Sequence, residues 1–296
     1  MDETSRVRIA IQKSGRLSKP SLELLRRCGL KIENGSSSLL CHCHDFPIDI
    51  LFVRDDDIPT YVKDGACDLG IVGLNEVNEK VLAISQNSPI EILEKLMFGY
   101  CRLALAVPQD SDFYDMTRLQ NTRIASSYPN ILKRFLDQNN LSASIVTMQG
   151  SVEIAPSMGI ADAICDLVST GLTLKSNKLK EIETVIESQA VLIGRSSEKD
   201  PIKLSYIDKL LTRLKGVRKA EKAKYIMMNA PKTAVAKIRN LIPGMERPTV
   251  VPLWGSENEV AIHAVAQEPV FWETMEQLKS IGASSIIVSP IEKIIE

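Results

Sequence analysis

The hydrophobic pattern changes its period several times along the chain. Short apolar runs, each long enough for one buried strand, lie at Val7–Ile11, Ile48–Val53 and Asp68–Val72. Between these runs, Lys19–Cys28 and Ile58–Asp64 have the spacing of amphipathic helices, and each is followed by a glycine, the usual residue just beyond a helix end. Strands that alternate with helices in this way predict parallel βαβ units and an α/β fold.

A second series of elements begins near Tyr100. Its predicted strands and helix are Arg102–Val107, Arg123–Ala125, Ser144–Met148 and Ile131–Asn139. The apolar segment Thr184–Ile193 then has the pattern of a strand that returns from the second series to the first. Two lobes joined by two crossing strands would leave a cleft between them, and such clefts are a usual place for a ligand.

After a predicted helix at Ser205–Leu214, the pattern changes to the order βαββαβ. Its elements are expected, in chain order, at Tyr225–Asn229, Pro231–Leu241, Thr249–Trp254, Val260–Val265, Glu268–Ile281 and Ser285–Val288. This order is that of a split βαβ domain of the ferredoxin-like type. We therefore predict three parts, which are a first lobe of residues 1–99 with 190–223, a second lobe of residues 100–189, and a C-terminal domain of residues 224–296.

Charge and composition argue against several classes of protein. The 296 residues include 36 Lys and Arg against 37 Asp and Glu, and a net charge of -1 disfavours a nucleic-acid partner held by bulk positive charge. No apolar run approaches the ~18 residues of a membrane span, and the charged N-terminus lacks a secretory pattern. We therefore expect a cytoplasmic protein with no membrane partner. A small anionic ligand fits this composition, because it needs only a few local donors.

Two clusters of potential metal ligands have simpler interpretations. The side chains of Cys41–His44 would alternate between faces if the segment is extended, so an edge strand or a loop is favoured over a zinc site. Asp55–Asp57 precedes a predicted helix, where acidic residues cap the N-terminus and complement the helix dipole. A role in Mg2+ binding is the alternative for these three residues.

The segment Glu153–Leu174 carries the strongest chemical signal. Its apolar run contains Asp162 and Asp166, and a strand buried on both faces should carry acids only at its ends or for a ligand. Ser169–Thr173 follows with three hydroxyls, one glycine and a series of backbone N–H groups, which suits a phosphate dianion. The alternative is an ordinary strand–loop–helix junction with hydroxyl N-caps.

Written as Glu153-x5-Gly159-x-Ala161-x2-Ile164-x-Asp166-Leu167-x2-Thr170-Gly171-x-Thr173-Leu174, this segment resembles the signature of the ATP phosphoribosyltransferases. The signature contains no departure from the family pattern. The resemblance extends over essentially the whole chain and is to the long form of the family. It includes QKSGRL at Gln12–Leu17, DLGIVG at Asp68–Gly73, SSYPNILKRFL at Ser126–Leu136 and ASSIIVSPIEKIIE at Ala283–Glu296.

The resemblance implies an architecture and a reaction. The architecture is a two-lobed catalytic part similar to periplasmic binding proteins, followed by a C-terminal regulatory domain. The reaction joins ATP to phosphoribosyl pyrophosphate (PRPP) and releases pyrophosphate with Mg2+, as the first step of histidine biosynthesis. It further implies homo-oligomers from dimer to hexamer and histidine as the feedback inhibitor. Such a displacement depends on positioning and electrostatics, so it requires no catalytic His or Ser triad.

Site residues follow from the resemblance and from their chemistry. PRPP is expected to bind to Asp162, Asp166, Leu167, Val168, Ser169, Thr170, Gly171, Leu172 and Thr173. Catalytic roles are expected for Lys13, Arg16 and Glu153, and ATP contacts for Gly15, Arg16, Gly73 and Tyr128. Asp162, Asp166 or Glu153 would accept hydrogen bonds from ribose hydroxyls or reach Mg2+ through water. Taken alone, Lys13 and Arg16 are more typical of ordinary surface charges, and it is the resemblance that favours ligand contact for them. For Tyr128, stacking on adenine and packing in the core stay open as equal alternatives.

The C-terminal domain is expected to bind histidine at strand ends near Asn229, Thr249, Leu253 and Ala261. Two competing hypotheses remain at this stage. The first is that the domain serves oligomer assembly alone, because a fold does not fix a function. The two-lobed pattern also suits a solute-binding protein or the effector domain of a regulator, although the missing signal peptide and the balanced charge argue against both.

Overall fold

The computed structural model of the protein describes residues 6–32, 39–83, 88–112, 115–196, 200–242, 248–267 and 272–295. These residues form two compact units. The first comprises Met1–Arg26 with Leu30–Ile207, and the second comprises Arg27–Gly29 with Asp208–Glu296. None of the described helices has the length and apolar character needed to span a lipid bilayer.

The described residues contain fifteen strands and eight α-helices. The strands are β1 Val7–Gln12, β2 Leu40–His42, β3 Ile48–Val53, β4 Leu69–Gly73, β5 Ile90–Lys95, β6 Cys101–Pro108, β7 Arg123–Ser126, β8 Ser144–Thr147, β9 Ala163–Val168, β10 Leu179–Ser188, β11 Ala190–Arg195, β12 Ala223–Pro231, β13 Thr249–Pro252, β14 Glu259–Gln267 and β15 Ser284–Pro290. The helices are α1 Ser18–Arg27, α2 Ile58–Lys63, α3 Leu74–Ala83, α4 Pro129–Gln138, α5 Leu172–Ser176, α6 Pro201–Glu221, α7 Val235–Leu241 and α8 Trp272–Ser280.

The first unit is built on two mixed sheets. The first sheet has the order β2-β3-β1-β4-β11-β5, in which β1 runs parallel to both β3 and β4. The second sheet has the order β10-β6-β9-β7-β8, in which β7 runs parallel to both β8 and β9. The chain leaves the first sheet after β5 and returns to it with β11, so each sheet forms the centre of one lobe.

The predicted strand Thr184–Ile193 is two strands, β10 and β11, rather than one. The break is at Gln189, whose carbonyl accepts the N–H of Leu74 at 2.9 Å and whose Oε1 accepts the N–H of Met97 at 3.2 Å. The chain crosses between the sheets at this residue. The apolar pattern continues through the crossing because β10 and β11 both have a buried face, so hydrophobicity alone did not mark the break.

The central strands are apolar because helices or loops cover both of their faces. In β1, Val7, Ile9 and Ile11 have no exposed surface, and in β9 the same is true of Ile164 and Cys165. Two elements were not predicted. The helix α3 starts directly after Gly73, the last residue of β4, with no loop between them. β5 is an edge strand whose polar and apolar residues do not alternate regularly.

The second unit contains the predicted βαββαβ order. Its sheet has the strand order β13-β14-β12-β15 and is antiparallel throughout. α7 and α8 pack on one face of this sheet, where Ile226, Met228 and Ile262 meet Ile238 and Leu278 in a buried core. This unit also includes the part of α6 that follows residue 207.

Two boundaries in this region differ from the prediction. The helix α6 is longer at both ends than the predicted Ser205–Leu214. Pro231 does not start a helix, because it is the last residue of β12 and pairs with Glu259, and α7 begins only at Val235. Proline is common at the first position of a helix, and the sequence did not show that β12 extends as far as Pro231.

Candidate active site

The loop that follows β9 lines a cavity of about 130 Å³. Its lining consists of Glu153, Asp166, Leu167, Val168, Ser169, Thr170, Gly171, Thr173 and Leu174. Gly171 has a φ of 76°, which is a left-handed conformation that favours glycine. The N–H groups of Ser169, Thr170 and Gly171 make no hydrogen bond to a backbone carbonyl of the described residues. The loop therefore offers several backbone donors to an anion.

Two carboxylates share this cavity. Burial, aided by the nearby charge of Glu153, raises the pKa of Asp166 to about 6, although a hydrogen bond from the N–H of Leu167 acts in the opposite direction. No ion pair joins Asp166 to a Lys or Arg of the described residues. A half-buried acid without a cationic partner is a group that a ligand hydroxyl or a hydrated metal ion can stabilise.

The structure separates Asp162 from the other residues predicted to bind PRPP. Asp162 immediately precedes β9, whereas the loop follows β9, and a six-residue strand spans roughly 20 Å at ~3.3 Å per residue. The carboxylate accepts the N–H of Arg123 at 2.9 Å and forms an ion pair with its guanidinium at 2.9 Å. This pairing lowers the pKa of Asp162. Asp162 thus ties the starts of β7 and β9 together, away from the cavity.

The carboxyl-terminal edges of the two sheets of the first unit face each other. Glu76 lies in α3, directly after β4, and Tyr128 lies directly after β7. The Tyr128 hydroxyl donates a hydrogen bond to Oε1 of Glu76 at 2.7 Å and accepts one from Nδ2 of Asn75 at 3.1 Å. Since β1 neighbours β4 and β9 neighbours β7, the loops after β1 and β9 lie on these same facing edges. Apart from Asp162, the predicted ATP and PRPP residues thus belong to one region.

Tyr128 is only 8% exposed and belongs to the hydrophobic core of the second lobe. Burial and the charge of Glu76 raise its pKa, so the hydroxyl stays protonated and donates. This environment supports the packing alternative, and a contact with ATP stays a prediction. The predicted ATP residue Gly73 is also buried at the end of β4, where a Cβ would lie 2.5 Å from Oδ1 of Asn75.

Lys13, Gly15 and Arg16 lie in the exposed loop between β1 and α1. The N–H of Lys13 donates to the carbonyl of Val53 at 2.8 Å, and the guanidinium of Arg16 donates to the carbonyl of Gly99 at 3.2 Å. The loop thus holds two cations at the edge of the first sheet that faces the second sheet. This placement fits contact with phosphate groups, although it leaves the surface-charge alternative open.

Sequence reasoning missed two buried acids of α3. Besides Glu76, Glu79 accepts the N–H groups of Asn130 and Ile131, both at 2.9 Å, at the start of α4. The two glutamates are three residues apart and share one helix face, which is 8% exposed at each of them. Paired acids on a buried helix face were the available signal, but α3 itself was not predicted.

The predicted edge strand at Cys41–His44 is confirmed in part, because β2 is the edge strand of the first sheet. The Nδ1 of His42 is 2.9 Å from Oδ1 of Asp49. Within the described residues no group of three or more His, Cys, Asp or Glu side chains could hold a metal ion. The alternative of a zinc site therefore gains no support from these residues.

Asp55–Asp57 forms a 3-10 turn before α2, and side-chain capping is wrong for this segment. The helix starts without a hydrogen bond from a capping side chain. Asp55 instead accepts a hydrogen bond from Nε2 of Gln12 at 2.9 Å, and Asp56 forms an ion pair with Arg54 at 3.1 Å. Asp55 thus contacts the end of β1, and Asp56 pairs with a residue two positions before it, in place of the capping contact that the sequence suggested.

A larger groove of about 470 Å³ lies along α4. It is lined by Leu82, Asn130, Lys133, Arg134, Asp137 and Gln138. Lys133 and Arg134 are exposed, as expected for a solvated helix face. None of the predicted site residues lines this groove, so its size does not make it the better candidate.

Three of the four predicted regulatory residues lie on one face of the third sheet. Asn229 of β12 pairs with Ala261 of β14, and Thr249 of β13 pairs with His263 of β14, which lies on the same face as Ala261. This face is opposite to the core beneath α7 and α8. Leu253 follows the end of β13, and its N–H donates to the carbonyl of Glu259 at 3.4 Å.

Residues 54–216 match the family model of HisG, ATP phosphoribosyltransferase, and residues 220–293 match that of the HisG C-terminal domain. The chain belongs to the HisG family. The resemblance drawn from the signature is confirmed, including the long form, because the additional C-terminal domain is present. In this chain, the cavity after β9 is lined by residues of the signature segment Glu153–Leu174.

The solved structures that resemble this chain include one ATP phosphoribosyltransferase. HisG from the HisG:HisZ complex of Thermotoga maritima is 26% identical, with a TM-score of 0.58 over 71% of this chain and 98% of that chain. Tv2483 bound to L-arginine is 16% identical, with a TM-score of 0.50 over 73% and 86% of the two chains. The alkanesulfonate-binding protein SsuA from Xanthomonas axonopodis pv. citri is 17% identical, with a TM-score of 0.44 over 71% and 73%.

The predicted fold class is confirmed. The two sheets of the first unit form a two-lobed α/β part of the kind found in periplasmic binding proteins, and the third sheet with α7 and α8 forms the C-terminal ferredoxin-like domain. The family places the protein among the transferases of histidine biosynthesis.

Proposed function

We propose that the protein joins ATP to PRPP, forming 1-(5-phosphoribosyl)-ATP and pyrophosphate, as the first committed step of L-histidine biosynthesis. The observation that carries this proposal is the cavity after β9, in which unpartnered backbone donors and hydroxyls lie beside Asp166 and Glu153. Family membership supports the same reaction.

The 5-phosphate of PRPP is proposed to bind to the loop after β9. The N–H groups of Ser169, Thr170 and Gly171 and the nearby hydroxyls would donate hydrogen bonds to its oxygens. Leu167, Val168 and Leu172 would contribute backbone rather than side chains, and the Thr173 hydroxyl lines the same cavity. Because Gly171 carries no Cβ, the phosphate can approach the backbone closely.

Asp166 and Glu153 are proposed to bind the ribose hydroxyls and Mg2+. Mg2+ prefers oxygen ligands, keeps several waters, and is usually held by one or two carboxylates together with substrate phosphates. Two neighbouring carboxylates and no larger cluster among the described residues fit that manner of binding. When bound, the ion would neutralise charge on the leaving pyrophosphate.

Lys13 and Arg16 are proposed to contact phosphate groups of ATP or the departing pyrophosphate through charge-assisted hydrogen bonds. A ring nitrogen of adenine already carries its lone pair at neutral pH, so no side chain has to remove a proton before attack. The nitrogen bonds to the anomeric carbon of ribose as the bond to pyrophosphate breaks. The contribution of the protein is to align the two substrates between the facing sheet edges.

A pyrophosphate-release assay with ATP, PRPP and Mg2+ tests the reaction. Thr170→Val combined with Gly171→Val removes a donor and forces a side chain into a left-handed conformation, so turnover is expected to fall by at least about a hundredfold. The control is Thr170→Ser, which keeps the hydroxyl and is expected to stay within about fivefold of the wild type. Unchanged turnover in the double variant, with PRPP still required, would count against the assignment.

Histidine is proposed as a feedback inhibitor that binds the C-terminal domain, and the enzyme is proposed to form homo-oligomers from dimer to hexamer. The match to the HisG C-terminal domain supports the presence of the domain. The relative from Thermotoga maritima was solved within a complex of HisG and HisZ, which supports assembly in general. The proposed histidine-binding region is the sheet face opposite α7 and α8, which carries Asn229, Thr249 and Ala261.

A further inference from the structure

The side chain of Gln12 lies inside the loop Lys13–Arg16. It is 8% exposed. Its Nε2 donates to Oδ2 of Asp55 at 2.9 Å, and its Oε1 accepts the N–H of Leu17 at 2.9 Å. A carboxylate can only accept and a backbone N–H can only donate, so these two partners determine which end of the amide carries the oxygen.

The loop wraps around this amide. Gly15 has a φ of 119°, and a Cβ on it would lie 2.7 Å from Nε2 and 3.0 Å from Cδ of Gln12. The Oγ of Ser18 donates to the carbonyl of Lys13 at 3.1 Å, which closes the loop from the other side. The backbone therefore lies close to the amide at Gly15 and is hydrogen-bonded to it at Leu17, and any side chain at position 15 would displace the amide.

The bond to Asp55 joins two neighbouring strands of the first sheet. Gln12 is the last residue of β1 and pairs with Val53, the last residue of β3. Asp55 begins the 3-10 turn that follows β3. The Gln12–Asp55 hydrogen bond thus connects the turns that leave two parallel strands at the same sheet edge, and only one of those turns carries the cations Lys13 and Arg16.

We propose that Gln12 and Asp55 are positioning residues that hold the loop Lys13–Arg16 in the conformation that receives the phosphates of ATP. This inference rests on the proposed function. A loop that is ordered before the substrate arrives loses little further conformational freedom on binding. Loss of the Gln12–Asp55 bond should therefore weaken ATP binding more than PRPP binding, because the PRPP loop belongs to the second sheet.

The test exchanges the donor and the acceptor. Gln12→Glu places two carboxylates against each other, and the KM for ATP is expected to rise about tenfold while the KM for PRPP stays within about twofold. In Gln12→Glu/Asp55→Asn, the amide introduced at position 55 donates to the carboxylate introduced at position 12, whose second oxygen still accepts from Leu17. The net charge equals that of the wild type, and the KM for ATP is expected to return to within about twofold of it.

Hydrogen exchange of the amides of residues 13–17 gives a readout that does not depend on turnover. Exchange is expected to accelerate in Gln12→Glu and to slow again in the double variant. Asp56→Asn is the matched control, because it removes one charge from the same turn without touching Gln12, and both readouts should stay at the wild-type values. Thermal unfolding of each variant separates a loss of folded protein from a loss of loop order.

The positioning role is overturned if the double variant is no better than Gln12→Glu, or if both KM values rise equally. Failure of the proposed function looks different, because the wild type itself would then release no pyrophosphate from ATP and PRPP. In that case the exchange rates still decide whether the pair orders the loop.

Discussion

Asp162 and Asp166 lie on one strand segment and have opposite electrostatic environments. Arg123 neutralises Asp162 and lowers its pKa, whereas burial and Glu153 raise the pKa of Asp166 to about 6. The sequence marked both acids as unusual for a buried strand. It did not show which of them faces the ligand, because that depends on the end of the strand at which each lies and on a cation from another strand.

The pH dependence of PRPP use tests the role of Asp166. If the ionised carboxylate binds ribose hydroxyls or Mg2+, kcat/KM for PRPP should fall about tenfold per pH unit below about pH 6. Asp166→Asn should lower kcat/KM for PRPP above about pH 6 and should abolish the fall below that pH. The measurement is a set of steady-state rates between about pH 5 and 8 at saturating ATP.

Asp162→Asn is the matched control for this experiment, since it makes the same change at the other end of β9. Its kcat/KM for PRPP is expected to stay within about twofold of the wild type and to keep the same pH profile. A fall that persists unchanged in Asp166→Asn would assign the titration to PRPP or to another group. An equal loss of kcat/KM for PRPP in Asp162→Asn and Asp166→Asn would contradict a specific role of Asp166 at the carboxyl end of β9.

At the scale of elements, α3 connects the two lobes through the start of α4. Glu79 is 8% exposed and accepts the N–H groups of Asn130 and Ile131 as well as Nδ2 of Asn130. Its carboxylate thus occupies the position that a local capping side chain fills in most helices. A phosphate is not expected at this helix start, because a protein carboxylate already holds its donors.

Removal of this cap is expected to destabilise the first unit. Glu79→Ala leaves buried N–H groups without an acceptor and should lower the free energy of unfolding by about 1–3 kcal/mol. Urea denaturation followed by circular dichroism measures the change. Glu23→Ala on the exposed face of α1 is the control and should alter stability by less than about 0.5 kcal/mol. Equal stabilities of the two variants would contradict the capping role.

Most elements could be predicted from their own residues, whereas contacts between elements could not. β1, β3, β4 and the strands of the C-terminal domain have apolar patterns that reflect burial directly. The role of Gln12 was invisible, because its partner Asp55 is close only after β1 and β3 pair. The loop after β9 was predictable, because its donors are local to one short segment.

For the whole molecule, a histidine titration tests the regulatory domain. Asn229→Leu removes a polar group from the face of the third sheet opposite α7 and α8. The histidine concentration for half-inhibition should therefore rise at least about tenfold, while the rate without histidine stays within about twofold of the wild type. Pyrophosphate release by the full chain is the measurement. A variant inhibited like the wild type would place the histidine site elsewhere.

Asn240→Leu is the control for that titration. The same substitution is made in α7, at an exposed position on the helical side of the domain, so inhibition by histidine should not change. A loss of inhibition in both variants would indicate a general disturbance of the domain rather than a contact with histidine.

The crossing of the chain between the sheets of the first unit has a consequence for folding. β5 and β11 are neighbours, with Lys95 opposite Val191, so the whole second lobe is inserted between two adjacent strands of the first sheet. Joining these strands closes a long loop, which is entropically costly in an unfolded chain. Once the inserted lobe has folded, its two ends already lie close together. During synthesis on the ribosome, the first five strands of this sheet are therefore completed by β11 only after the inserted lobe has emerged.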